Sequence, residues 1–521
     1  MIAKEKLNIL WSLEQTAEKY ADRVAVSDVN QELTWKELVK KAQVIGAELS
    51  KKVQPGNPVP VLLEKSSETL AVMFGIVYAG CFYVPVNPMN PTERLRKIME
   101  KLDPEVIISD EKGKEQLAAV GNGLEEKVMG PEALKPAVEM ELSEEQRSSL
   151  EQIQEQWKET DVLYGIFTSG STGTPKAIVV SHGAASRFIS HFTEIFEITS
   201  EDIIGNQAPF DFDVSVKDIY SSIMTGAQLV LIPKEYFSTP PRLLDYLCDK
   251  KVTNLTWAVS ALTLVSALKG LNYRVPESVK RVMFSGEAMP AKQLRIWQEK
   301  LPDAKFVNLY GPTEITCNCT YFPIERQYED SEKIPAGKAF PGRRVILVDE
   351  EGKQVSEPGV QGEICSAGES LANGYYKEPE QTAEKFVLYP VDGTEQRMYR
   401  TGDLGSYDEE GNIIFAGRKD FQIKHMGHRI ELGEIETALE TVEGLGRSLC
   451  MYDEAKGKIL AFYEGDLEKK QIVRAIGTRL PGFMIPNVFV KVEEFPLTKN
   501  GKIDRKKLEE AYESGNLTSL S

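Results

Sequence analysis

Between Arg23 and Asp110 the chain alternates between two periodicities, and few folds accommodate that. RVAVSD at 23–28, VPVLLEK at 59–65 and EVIISD at 105–110 read as strands. Between them, TWKELVKKAQVIGAELSK from Thr34 and ERLRKIMEKLD from Glu93 carry apolar residues at helical spacing. Thr34 is the expected N-cap of its helix. Strands joined by helices of this length imply parallel sheets with crossover helices. The uncharged run Leu70–Val86 is shorter than the ~20 residues of a typical membrane span and contains Gly75, Gly80 and Pro85. A buried helix leading into a buried strand is expected there, with no membrane insertion.

From about Ile334 the texture changes. RRVILVDE and GEICSAG alternate with the turns DEEGK and DEEGN, which predicts a β-rich subdomain over about 334–419. After Gly417-Arg418-Lys419-Asp420 a new small unit begins: a strand (FQIKHM), a helix (ELGEIETALETV), two strands (SLCMYD, ILAFYEG) and a lysine-rich end. The expected architecture is therefore α/β. A large core of packed mixed and parallel sheets with helices, including the β-rich subdomain, spans 1–419. A small α+β domain spans 420–512, and 513–521 is a tail.

The net charge of −17 argues against non-specific nucleic-acid binding, which needs a basic face. The six cysteines form no CxxC pair, which disfavours a zinc site and fits free thiols in a reducing cytosol. The N-terminal segment has no signal-peptide core, so a cytoplasmic protein is expected.

One loop carries chemistry by itself. Thr168–Lys176 reads TSGSTGTPK and directly follows the apolar strand VLYGIF. Its glycines allow close backbone approach, its N–H groups and hydroxyls can wrap phosphate oxygens, and Lys176 adds charge. It lacks the GxxxxGK[ST] pattern of a Walker loop.

That loop resembles the phosphate loop of the adenylate-forming superfamily, which includes acyl-CoA synthetases and the adenylation domains of nonribosomal peptide synthetases. Further motifs follow in the family's order: FDFDVSVKD from Phe210, NLYGPTEIT from Asn308, GEICSAGESLANGYY from Gly362 and YRTGDL from Tyr399. GRKDFQIKHMGHRIELGEIE from Gly417 and NGKIDRK from Asn500 complete the set. FDxSVxD, NxYGPTE and GHRIEL are most similar to the amino-acid-activating branch: stand-alone D-alanine–carrier protein ligases and peptide-synthetase adenylation domains.

The resemblance implies residue roles. Thr168, Ser169, Gly170, Ser171, Thr172, Gly173 and Lys176 would hold ATP phosphates. Tyr310 would stack on adenine, Asn308 would bond its amino group, and Gly311 would line the site. Thr313 would contact the α-phosphate, and Glu314 would bind Mg²⁺. Asp403 would take the ribose hydroxyls, with Arg418 as a second ribose or phosphate contact. Lys502 would bridge the reacting anions during adenylation. Asp420 would be the hinge, and Gly427 would lie on the thioester-forming face. His428 is read as structural.

By the same resemblance Asp213 matches the aspartate that pairs with a substrate α-ammonium in amino-acid-activating relatives, the partner a buried carboxylate needs; a structural capping role is the alternative. Val214, Lys217, Ala261, Met283, Ser285, Leu309, Cys317 and Asn318 would line the pocket. D-alanine ligases typically read FCGE where this chain has Phe284-Ser285-Gly286-Glu287, and carry an apolar residue at Lys217. Lys217 either turns inward to meet an acidic or polar side chain or extends to solvent. Val86-Asn87-Pro88 stands where relatives often have aspartate.

The implied reaction is ATP- and Mg²⁺-dependent formation of an aminoacyl-AMP, then transfer to the phosphopantetheine thiol of a carrier protein. D-alanine and another amino acid are both candidates. Only KLEEAYESGNLTSLS follows the last motif, so a separate carrier is expected; the enzyme itself is expected to be a monomer. An acyl- or aryl-CoA ligase is the alternative within enzymes, and a non-catalytic acyl-AMP sensor the alternative outside them.

Overall fold

The structure, a computed structural model, describes residues 7–130, 141–170, 174–391, 393–454, 456–497 and 503–515. It divides into two compact units. The first is Met1–Pro88, Leu102–Phe167 and Ala177–Asp420; the second is Met89–Lys101, Thr168–Lys176 and Phe421–Ser521.

The first unit is built on three sheets. A nine-stranded sheet runs in the order Lys338–Ala339, Thr320–Ile324, Lys305–Tyr310, Arg281–Ser285, Asn254–Ala258, Ile203–Asn206, Gln228–Leu231, Val24–Ser27 and Glu32–Thr34. Its strands from Lys305–Tyr310 through Val24–Ser27 are parallel. A seven-stranded sheet contains Lys176–Ser181, Val162–Thr168, Phe82–Pro85, Pro58–Leu62 and Ile107–Ser109 in its interior. Parallel strands need long crossovers, and the amphipathic helices read from the sequence supply them. Trp35–Leu49 starts at Thr34, whose hydroxyl accepts from Glu37 N while the Glu37 carboxylate accepts from Thr34 N, a reciprocal cap.

The uncharged run forms the buried helix Ser67–Tyr78 and the buried strand Phe82–Pro85. No described helix is long and apolar enough to cross a membrane. The third sheet is β-rich and antiparallel: Gln354–Val355, Arg343–Val348, Gly362–Gly368, Thr394–Tyr407 and Phe386–Val391, with Ile413–Arg418 paired to Thr394–Tyr407. Short strands with Gly-containing turns produce this meander, as the sequence pattern predicts.

The second unit has its own apolar core, including Ile430, Ile435, Leu439, Ile459 and Ile472. The hairpin Gln422–His425/His428–Glu431 and a three-stranded sheet, Leu445–Asp453, Lys458–Gly465 and Val488–Lys491, pack with the helix Leu432–Glu440. The helix Thr92–Leu102 belongs mostly to this unit, where Arg94 and Glu434 form a buried ion pair at 2.5 Å. The His428 ring stacks on Phe483 with centroids 3.8 Å apart, which gives it a packing role.

Candidate active site

In open α/β sheets ligands bind beyond the carboxyl ends of the strands. The motifs of the first unit sit there. Strand Lys305–Tyr310 carries Asn308, Leu309 and Tyr310 and delivers Gly311 and Pro312 to a short 3₁₀ turn, Thr313–Ile315. Gly311 is required by close approach: a Cβ there would lie 2.5 Å from Asn318 Cα and 2.7 Å from Cys319 N. The chain then turns back through two consecutive left-handed residues, Thr316 and Cys317, at φ 57° and 68°. Non-glycine residues rarely adopt that conformation, and such strain clusters at functional sites.

This reversal brings Cys317 and Asn318 against Asp213 and Lys217. Cys317 Sγ donates to Asp213 O at 3.1 Å. Lys217 Nζ donates to Asn318 Oδ1 at 2.7 Å and to Ser285 Oγ at 3.4 Å. Lys217 is 1 % exposed, so of the two expectations for its side chain the inward one describes the structure. Burial holds its ammonium below the usual lysine range, and its hydrogen-bond partners are both neutral. Asp213 occupies the N-cap position of helix Val214–Thr225, yet its side chain makes no capping bond.

The remaining expected pocket residues are buried but divide between two cores. Met283, Leu309 and Cys317 share the large apolar core. Ala261 packs in the other core, with Leu262 and Val265. Val214 is buried at the first position of its helix.

The nucleotide-side residues are also organised. Tyr310 O–H donates to Asp403 Oδ2 at 2.5 Å, and Asn308 Nδ2 donates to Pro335 O at 2.8 Å. Asp403 is 2 % exposed and pairs with Arg418. Two bonds leave acceptor capacity on a carboxylate that offers about four lone-pair sites. Arg418 also grips Asp420, with Nε to Oδ1 at 2.6 Å and Nη2 to Oδ2 at 2.9 Å. Read from sequence as a ribose or phosphate contact, Arg418 here orients two carboxylates, which suits a planar fork of donors.

Glu314 is 1 % exposed and accepts from the Tyr375 hydroxyl at 2.9 Å. Sequence reasoning misses Tyr375 in this role, because the pairing joins residues 61 positions apart. Among the described residues no three His, Cys, Asp or Glu side chains converge as a metal cage. A single carboxylate fits Mg²⁺, which is usually held by one or two carboxylates together with substrate phosphates.

In the second unit, Ser169 Oγ donates to Arg429 O at 2.7 Å and accepts from Glu431 N at 3.2 Å. Gly170 is dictated by space, since a Cβ there would lie 2.0 Å from Thr174 O. Thr168 ends the strand Val162–Thr168, and Lys176 begins Lys176–Ser181. Burial, and then the charge of Lys176, hold Lys101 below its usual range, so two ammonium groups lie near this loop. Clustered cations suit an anion. Gly427 sits with Met426 in the turn of the hairpin, both with positive φ. Ser171, Thr172, Gly173 and Lys502 lie outside the described residues.

Residues 13–376 match the AMP-binding enzyme family. The chain belongs to that family. It is 34% identical over 507 residues to zwittermicin A synthase ZmaJ of Bacillus cereus, covering 95% of this chain and 93% of that one. It is 33% identical over 504 residues to tyrocidine synthase 1 of Brevibacillus parabrevis, covering 95% of this chain but 44% of that protein. For bacitracin synthase 1 of Bacillus licheniformis the identity is 33% over 504 residues, covering 95% of this chain and 9% of that protein. The chain thus spans less than half of these two larger relatives.

Two solved structures share the fold of this AMP-binding enzyme. The Vibrio cholerae adenylation domain AlmE, in complex with glycyl-adenosine-5'-phosphate, has a TM-score of 0.82 at 22% identity, covering 99% of this chain and 98% of that one. IdnL1 has a TM-score of 0.77 at 26% identity, covering 94% and 99%. The adenylate-forming family and the mixed α/β architecture expected from the motifs are those found.

Proposed function

We propose that this AMP-binding enzyme activates an α-amino acid as its aminoacyl-AMP and passes the acyl group to the phosphopantetheine thiol of a carrier protein. The observation that carries the amino-acid reading is Asp213. It stands buried at the head of helix Val214–Thr225, next to the Cys317–Asn318 reversal. A cation stabilises a carboxylate in such a place, and a substrate ammonium is one. The similarity to tyrocidine synthase 1 and bacitracin synthase 1 accords with this reading.

In the first step a substrate carboxylate oxygen attacks the α-phosphorus of ATP. The bond from that phosphorus to the oxygen bridging the β-phosphate breaks, and pyrophosphate leaves with the electron pair. Two anions meet, so the protein's task is positioning and charge neutralisation. Asp213 orients the amino acid, Asp403 receives the ribose hydroxyls, Tyr310 and Asn308 border the adenine, and Thr313 meets the α-phosphate. Glu314 would hold Mg²⁺, which neutralises phosphate charge when bound. Lys502 bridges the two reacting anions. In the second step the pantetheine sulfur attacks the acyl carbon beside Gly427, AMP departs, and the thiol proton passes to solvent. Asp420 is the hinge between the two steps.

Lys217 narrows the substrate. A buried ammonium hydrogen-bonded to Ser285 and Asn318, with the Asp213 and Asp218 carboxylates near enough to favour its charge, favours a substrate side chain that carries an acceptor, a carboxylate above all. Lys217→Met is expected to lower exchange with acidic amino acids by roughly tenfold or more, the worth of a lost charge-assisted bond, and to improve exchange with apolar ones. Amino-acid-dependent ATP–pyrophosphate exchange over L- and D-amino acids with Mg²⁺ tests both points. Exchange with D-alanine alone would reject the acidic preference, and exchange with no amino acid would reject the reading itself.

A further inference from the structure

We propose that Lys65 is a positioning residue for the amino-acid pocket, its ammonium gathering the backbone of residues 206–208 so that the following loop delivers Asp213 in register. This inference rests on the amino-acid reading above. Lys65 follows strand Pro58–Leu62 of the seven-stranded sheet, at that strand's carboxyl end. The loop it holds belongs to the other sheet: Ile203–Asn206 ends there, and Asp213 comes seven residues later at the head of helix Val214–Thr225.

Lys65 Nζ donates to Asn206 O at 3.2 Å, Asn206 Oδ1 at 3.1 Å, Gln207 O at 3.0 Å and, more weakly, Ala208 O at 3.4 Å. The parallel ladder with the neighbouring strand ends at Asn206, so the carbonyls of Gln207 and Ala208 lie past its last pair. Buried carbonyls need donors, and one ammonium serves this group.

The same contact reaches the helix that follows the loop. Asn206 is fully buried; its Oδ1 accepts from Lys65 while its Nδ2 donates to Asp218 Oδ2 at 2.9 Å. Asp218 lies on the helix directly after Lys217 and is 1 % exposed. Lys65 therefore holds the start of the 207–212 loop directly, and holds the helix beyond it through Asn206 and Asp218. Burial pulls Lys65 down to about 7 and pushes Asp218 up to about 7, so each group carries a desolvation cost. A hydrophobic side chain at 65 would avoid that cost but could not gather three carbonyls.

Misplacing a binding group by about 1 Å can cost on the order of 10²-fold, so a residue that sets this loop acts on substrate binding without touching substrate. The test uses the full chain and the amino acid giving the greatest ATP–pyrophosphate exchange. Lys65→Met is expected to raise the KM for the amino acid about tenfold or more while the KM for ATP stays within about twofold, and Lys65→Arg to recover most of the loss because it keeps charge and donors. Asn206→Ser, which removes the bridge but keeps Lys65, is expected to give the same split to a smaller degree. It decides the matter if Lys65→Met does not fold. Thermal melting follows each variant. The proposal is overturned if both KM values rise together, if activity falls only with the folded fraction, or if Lys65→Arg is as impaired as Lys65→Met. A parent protein with no exchange for any amino acid overturns the amino-acid reading instead, before any variant is compared.

Discussion

Asp213→Asn is expected to lower amino-acid-dependent ATP–pyrophosphate exchange by about 10²-fold or more. The substitution keeps the shape of the side chain and removes its charge. A substrate ammonium would then be desolvated beside a neutral amide, and breaking a buried ion pair costs about 3–5 kcal/mol, where each 1.4 kcal/mol is roughly tenfold. The loss should appear in the KM for the amino acid, with the KM for ATP little changed. The fold should survive, because asparagine keeps the size and shape of the aspartate side chain and one of its acceptor oxygens. Steady-state exchange kinetics and a thermal melt check both halves. Undiminished exchange in Asp213→Asn would mean that Asp213 does not hold the substrate ammonium and would remove the observation on which the amino-acid reading rests.

Lys502→Ala is expected to abolish adenylation, with a fall in kcat of about 10³-fold, while ATP binding is retained. Electrostatic groups aimed at charge that develops during a reaction are worth on the order of 10²–10³ each, and this lysine would face two anions at once. Because Glu314, Asp403 and the 168–176 loop remain, nucleotide titration with the inactive variant should give an affinity within a few-fold of the parent. The KM-against-kcat split separates the two predictions: Asp213→Asn is expected to act on the KM for the amino acid, and Lys502→Ala on kcat. Full exchange in Lys502→Ala would move the role to another cation, and neighbouring Lys506 would be the first to examine.

Much of this protein is legible in one dimension. The two early periodicities give parallel sheets with crossover helices because a strand repeats every two residues and a helix every 3.6, and only one arrangement buries both patterns. Thr34 caps its helix because the hydroxyl and Glu37 are three residues apart, a local geometry that needs no tertiary contact. The adenylate motifs are equally local. Glycine at 170 and at 311 marks backbone that neighbours approach too closely for a side chain.

What the tertiary structure alone decided concerns charges whose partners come from far away. Lys217 could as well have extended to solvent, since a lysine stem allows both. Its partners Ser285 and Asn318 arrive from positions 68 and 101 residues distant and draw it inward. Tyr375 on Glu314 and Lys65 on the carbonyls of 206–208 follow the same logic. In each case the sequence names the group but not its environment. The free energy of a buried charge depends on which dipoles surround it, and those are assembled only when separate strands end at the same edge of a sheet.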